Sequence, residues 1–256
     1  MPTLFSKSKA FVAQEKEKKM NDFWLKCSIY SFSQINNPYE YNRDLLIELL
    51  KRINEFTLDR VHGYEKVVLI LFRLGVTVLT QPYISGTRAF GVTMILEGKP
   101  CIVITDMNKK YHKLWINLLH ELYHVLNDFD ILENLLYHIS DSETPELLLN
   151  EERADKFALD ALVNPTIQKE LGRIVALPYK MNQLANKLNV DVSILYGIYL
   201  EALPKGEKKN KEFAKYGGML KSSDIAVRRV EFDAVPKHSL NGAIDKMKKE
   251  LFRISV

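Results

Sequence analysis

His120 and His124 stand four residues apart in the run His120-Glu121-Leu122-Tyr123-His124. On an α-helix a four-residue step turns a side chain by only about 40° and advances it by about 6 Å. Both imidazoles therefore leave one face and can reach one cation. Glu121 lies beside them, close enough to touch a water on that cation. Zinc hydrolysis uses this set: a bound zinc ion lowers the pKa of its water to roughly 7, and a nearby carboxylate then removes the proton. His120 and His124 are thus the first two expected Zn2+ ligands, and Glu121 is the expected catalytic base. Chance alone would place such a run in roughly one chain in a hundred of this size, and a buried helix whose histidines pair with Asp or backbone groups would also carry it. Context favours the metal. Leu118, Leu119, Leu122 and Leu126 keep helical apolar spacing and would bury the helix. Two His and a Glu on a mostly buried helix are costly unless a metal or close partners satisfy them.

A catalytic zinc takes a third protein ligand and keeps one position open. The segment Asn150-Glu151-Glu152-Arg153-Ala154-Asp155-Lys156-Phe157-Ala158 supplies the candidate. Glu151 and Asp155 share one helix face, and the small residues Ala154 and Ala158 would let that helix come close to the first. Glu151 is read as the third metal ligand. Asp155 is read as the acceptor for the second ring N–H of a ligand histidine, which fixes its tautomer. Glu152, turned about 100° from Glu151, is the fallback ligand.

The elements that position these residues are readable in outline. The spacing predicts a helix from Tyr111 to about Asn127, and a second from near Pro145 through Glu151 to about Leu162, ended or kinked at Asn164-Pro165. Upstream, Gly63 to Leu74 reads as a helix stopped at Gly75. Val76–Leu79, Ala89–Leu96 and Cys101–Thr105 read as strands, the last two joined by a link short enough for an antiparallel hairpin. Lys7–Lys26 and Arg43–Ile53 are predicted helical, with a turn at Asn36-Asn37-Pro38, and the last stretch is mostly helical with a break at Gly217-Gly218. The expected fold is α+β and mostly helical. A small three-stranded antiparallel sheet packs on the His-bearing helix. Residues 1–55 form an N-terminal helical extension, 56–170 a zinc metallopeptidase domain and 171–256 a C-terminal helical region.

Composition narrows the class. Of 256 residues 46% are hydrophobic and 27% charged, which is ordinary for a soluble globular protein and excludes a disordered chain. No apolar run reaches membrane-span length, and the N-terminus has no stretch of signal-peptide length, so a cytoplasmic protein is expected. Cys27 and Cys101 share no metal spacing and read as free thiols. A net charge of +4 is too mild to imply nucleic acid. Leu184 to Val190 followed by Ile194-Leu195 has the pattern of a helix-turn-helix, but its second helix carries Ser193, Tyr196 and Tyr199 rather than base-reading Arg, Asn or Gln. Direct contact with nucleic acid is not expected.

Leu74 to Val78, Pro82 to Gly91, Trp115 to Leu126 and Glu151 to Ala158, taken together, resemble the ImmA/IrrE family of metallopeptidases over about residues 60 to 200. The order of elements is similar too. The resemblance implies a minimal zincin-like, gluzincin-type fold and site-specific cleavage of a helix-turn-helix transcriptional repressor, in proteins that often sit in mobile elements, prophages or stress-response operons. Many relatives carry their own N-terminal DNA-binding domain. Residues 1–55 show no such pattern, so the repressor is expected to be a separate chain. Many relatives also have a small residue where this chain has Tyr123, and a His soon after the motif where it has Asn127-Asp128. Neither change touches a proposed ligand, and both alter the expected cleft.

The mechanism expected from this reading places a substrate strand beside Ala89–Leu96 by strand addition. The oxyanion would lean on the metal and on one further donor, with Tyr111, Tyr123, Tyr196 and Tyr199 as candidates. Two other readings stand beside it: a partner-binding module with a structural or vestigial metal site, and a DNA-binding regulator using residues 184–195. Oligomeric state is not legible.

Overall fold

The computed structural model describes residues 4–35, 37–81, 90–105, 107, 109–134, 138–139 and 151–227. The architecture is α+β, with helices around one small sheet. In chain order the elements are α1 (Leu4–Gln34), α2 (Arg43–Leu50), α3 (Ile53–Phe56), α4 (Gly63–Arg73), β1 (Thr77–Gln81), β2 (Gly91–Leu96), β3 (Lys99–Thr105), α5 (Tyr111–Asn127), α6 (Phe129–Glu133) and β4 (His138–Ile139). There follow α7 (Glu151–Leu162), α8 (Pro165–Ile174), α9 (Pro178–Leu188), α10 (Val192–Glu201) and α11 (Glu207–Tyr216). The helix expected from Pro145 is seen from Glu151, residues 145–150 lying outside the described residues. Pro165 does not kink it but opens α8, behind the capping side chain of Asn164.

The sheet is mixed, and this corrects the antiparallel expectation. Its strand order is β1-β3-β2-β4. β2 and β3 form the expected antiparallel hairpin, turned by Glu97 and Gly98 at φ 52 and 75. Positive φ at both turn positions gives a twist that matches the strands. β1, however, joins the far side of β3 and runs parallel to it, from Thr77↔Cys101 to Gln81↔Thr105. The hairpin signal fixes only the sense of the two strands it connects, and nothing local tells β1 which neighbour it will meet. β2 is not an edge strand either, since β4 pairs with it at Val92↔Ile139 and Thr93↔His138.

β3 is covered on both sides, which explains its unbroken apolar run. Val78, Ile102 and Ile104 face the core built on α5, with Leu118, Leu119 and Leu122. Leu79, Val92, Met94, Cys101 and Val103 face the other way, onto Trp24, Cys27 and Phe32 of α1. The first helix therefore roofs the sheet, and the Trp24 indole N–H donates to the Gln81 side-chain oxygen of β1. Both cysteines are buried, and neither forms a disulfide. The α5 core also takes in Leu46 near its start and Ile194, Leu195, Tyr216 and Ala226 near its end, so residues from 1–55, 56–170 and 171–256 share one core. No helix among the described residues is long and apolar enough to cross a membrane.

α10 lies against the first turn of α5. A Cβ at Gly197 would stand 2.3 Å from Cγ of His112, so the close approach needs glycine there. His112 is fully buried, with Nε2 3.6 Å from Oε1 of Glu201. Burial pushes the imidazole below its ordinary pKa of 6.5, against the pull of Glu201. Burial would raise the Glu201 carboxyl, but His112, Lys113 and Lys209 hold it down at about 2. The unfolded chain therefore takes up a proton at residue 112 near pH 6.5 that the folded chain refuses. This part of the stability is complete above pH 6.5 and declines as the pH falls below it. His112→Phe keeps a ring of similar size and removes the titration. Its melting temperature should fall less between pH 7.5 and 5 than that of the wild type, by thermal unfolding across that range; equal slopes would show that His112 titrates normally.

Candidate metal centre

α5 runs through the middle of the fold, and one of its faces carries His120, Glu121 and His124, all buried. α7 lies against that face. Its contact residues Ala154 and Ala158 are wholly buried, and their small size lets the two helices close together. That approach delivers Glu151 to the histidines. Oε2 of Glu151 is 3.1 Å from Nε2 of His120, and Oε1 is 3.4 Å from Nε2 of His124. The two Nε2 atoms are 3.2 Å apart. His120, His124 and Glu151 each offer one ligand atom to a group whose atoms all lie within 4.8 Å of one another. This is a possible metal-binding triad. Glu152, one residue away, is exposed and stands outside the group.

The opposite ring nitrogens are held by carboxylates. His120 Nδ1 lies 2.9 Å from Oδ1 of Asp155, the pairing expected from sequence. His124 Nδ1 lies 2.8 Å from Oδ2 of Asp128. Donation of each Nδ1–H to its carboxylate would leave each Nε2 lone pair pointing inward, the tautomer that a metal needs. The Asp128 side chain is 13% exposed and that of Asp155 is 71% exposed, so the Asp128 contact is the less screened by water. Asp128 was missed as a site residue, and the expectation that Asn127-Asp128 leaves the ligands untouched is corrected. The signal was available: Asp128 is one helical step beyond His124, the same spacing that joins the two histidines.

Charge is concentrated here. Glu121, Asp128, Glu151 and Asp155 crowd two imidazoles. Burial works against a charged His120, but its bonds to Asp155 and Glu151 and the nearby charges of Glu121 and Glu151 outweigh it and push the imidazole up to about 10. The centre calls for positive charge, which a metal ion held by His120, His124 and Glu151 would supply.

Glu121 leaves α5 toward the sheet. Its Oε2 accepts from the Thr93 hydroxyl of β2 at 2.5 Å. Oε1 fills the space above Gly91, where a Cβ would come within 2.2 Å of it. Neither Gly91 nor Thr93 was legible as a site residue, because the contact joins positions far apart in the chain.

Of the four candidate tyrosines, Tyr111 donates to the Thr57 carbonyl at 2.8 Å, Tyr199 donates to Glu212 at 2.6 Å, and Tyr196 is buried against Tyr216. Tyr123 alone of these lies at the centre, its ring edge-on to His124 at 5.6 Å and packed on Phe157. The helix-turn-helix pattern corresponds to α9, Asn189 at φ 51, and α10. No residue of α10 is exposed, so the would-be recognition helix has no face for a groove.

Comparison with family models, curated proteins and solved structures returned no match.

Asp128→Asn keeps the side-chain shape and weakens the acceptor for His124 Nδ1. Affinity for a divalent transition-metal ion should fall about 10- to 100-fold, read by competition against a chromophoric chelator. Unchanged affinity would remove Asp128 from the centre.

Proposed function

We propose that this chain is a zinc-dependent peptidase of the ImmA/IrrE kind, cutting a separate protein at a defined site. The observation that carries this reading is the convergence of the donors: the two Nε2 atoms are 3.2 Å apart, with Oε2 of Glu151 3.1 Å from that of His120 and Oε1 3.4 Å from that of His124. Tetrahedral zinc with bonds of about 2.0–2.1 Å holds its ligand atoms about 3.3 Å apart. Two imidazoles and one carboxylate are also the donor set of catalytic zinc sites that keep a fourth position for water or substrate.

Bound there, zinc would polarise a peptide carbonyl and lower the pKa of the attacking water. The protein's own residues do the rest. Asp155 and Asp128 hold His120 and His124 in the metal-binding tautomer. Glu121 takes the proton from the attacking water and passes it to the departing amide nitrogen. Thr93 fixes the Glu121 carboxylate by its hydrogen bond, and Gly91 leaves it room. Burial of Glu121 keeps bulk water from competing for this role.

The proposed substrate is a helix-turn-helix repressor on a separate chain, in the cytoplasm. The substrate class rests on the family resemblance of the motifs. The absence of any exposed residue on α10 counts against the DNA-binding alternative.

The test is incubation of the zinc-loaded protein with a helix-turn-helix repressor encoded beside it, with and without chelator. A discrete cut, abolished by chelation, is expected. Glu121→Gln should keep its zinc and lose about 10²–10⁴-fold in rate, whereas His124→Ala should lose the metal itself. Full activity in Glu121→Gln would remove the base assignment. An intact repressor with fully zinc-loaded wild type would favour the non-cleaving, partner-binding alternative.

A further inference from the structure

α1 ends at Gln34 over the tip of the β2–β3 hairpin, and a half-open cavity of about 500 Å³ lies between them. That volume is within the ordinary range of small-molecule sites. Ile29, Phe32 and Ile35 line it from the helix, and Ile95 and Leu96 from β2. Cys101 of β3 lines it too. Burial pushes that thiol up to about 12 against the pull of Lys99, so it stays neutral and adds to the apolar wall. The cavity is separate from the metal centre. Leu96 and Cys101 pack on the α1 side of the sheet, whereas Thr93 reaches Glu121 on the other.

Lys99 is the one cation in this lining. Its Nζ donates to the Asn37 carbonyl at 2.7 Å, which fixes the ammonium in place and uses one of its three N–H groups. Glu40 Oε1 is 3.9 Å away, too far for a hydrogen bond, on a side chain that is 91% exposed. So exposed a pair contributes little. Asn37 has no amide donor left over, since Nδ2 donates to the Phe72 carbonyl and the Thr77 hydroxyl. Glu97 is the one acid in the lining, and it is exposed on the turn. The Lys99 side chain is only 23% exposed, so its charge is the less screened of the two.

We propose that this cavity binds a small monocarboxylic acid, with an aliphatic tail between α1 and β2 and the carboxylate on Lys99. The aliphatic walls suit the tail. A single ammonium answers one negative charge and not two, and a hydrogen bond between two charged groups is stronger than one between neutral groups.

The probe is octanoate, titrated by calorimetry into the full chain. Octan-1-ol supplies the tail without the charge, and acetate the charge without the tail. Octanoate should bind one-to-one with a Kd below about 1 mM, and acetate should show no binding in that range. Lys99→Met keeps an apolar stem and removes the charge. It should weaken octanoate at least about tenfold and leave octan-1-ol unchanged. Leu96→Trp fills the cavity from the strand and should weaken both tail-bearing probes at least about tenfold. If thermal unfolding shows that Leu96→Trp does not fold, Ile29→Trp fills the same space from the partly exposed helix. Three results each overturn the proposal: no one-to-one binding by the wild type, octanoate affinity unchanged by Lys99→Met, or octanoate affinity unchanged in the filled variant. These titrations read binding alone, so their outcome is independent of the metallopeptidase reading.

Discussion

Two imidazoles and a carboxylate buried on one face of α5 set the terms for the rest of the molecule. Polar groups of this kind remain in an interior only when each is answered by a partner. The structure answers them from three directions. α7 brings Glu151 and Asp155, the end of α5 brings Asp128, and β2 brings the Thr93 hydroxyl and the gap above Gly91. Several otherwise unremarkable choices follow. Residues 154 and 158 are alanine because α7 must come close. Residue 91 is glycine because the Glu121 carboxylate fills the place of a side chain.

The remaining elements hold these partners still. α5 is gripped along its apolar sides by the sheet, by α4 and by the C-terminal helices, with Leu118, Leu119, Leu122 and Trp115 fully buried. Fully burying each such side chain stabilises the fold by roughly 1.5–3 kcal/mol. α1 roofs the sheet's other face, so the strand that positions Glu121 is packed from both sides. At its N-terminal turn α5 meets α10 through His112 and Gly197, a contact that uses a neutral, buried imidazole where the metal centre uses carboxylate-paired ones.

The acidic surroundings of the centre connect structure to chemistry. An imidazole held up at about 10 by carboxylates is a place where a cation is wanted. The same carboxylates that favour a proton there favour a metal ion more strongly, because it carries two charges and can meet three donors at once. Zinc, with its preference for nitrogen and carboxylate donors at tetrahedral spacing, suits the geometry.

Much of this was legible in the sequence. The i, i+4 spacing of His120 and His124 fixes their common face on any helix, and the same rule pairs Glu151 with Asp155; these are properties of 3.6 residues per turn and need no tertiary knowledge. It would also have revealed Asp128, had the step been continued past His124. The Glu97-Gly98 turn likewise determined the β2–β3 hairpin, because backbone twist at a two-residue loop is a local matter. What only the tertiary structure decided are the contacts between distant segments. That β1 runs parallel to β3, that Thr93 bonds Glu121, that α10 is buried rather than presented, and that β4 covers β2 all depend on which surfaces meet. Local spacing sets the direction in which a side chain leaves its own element, but the partner it finds is chosen by the packing of the whole chain.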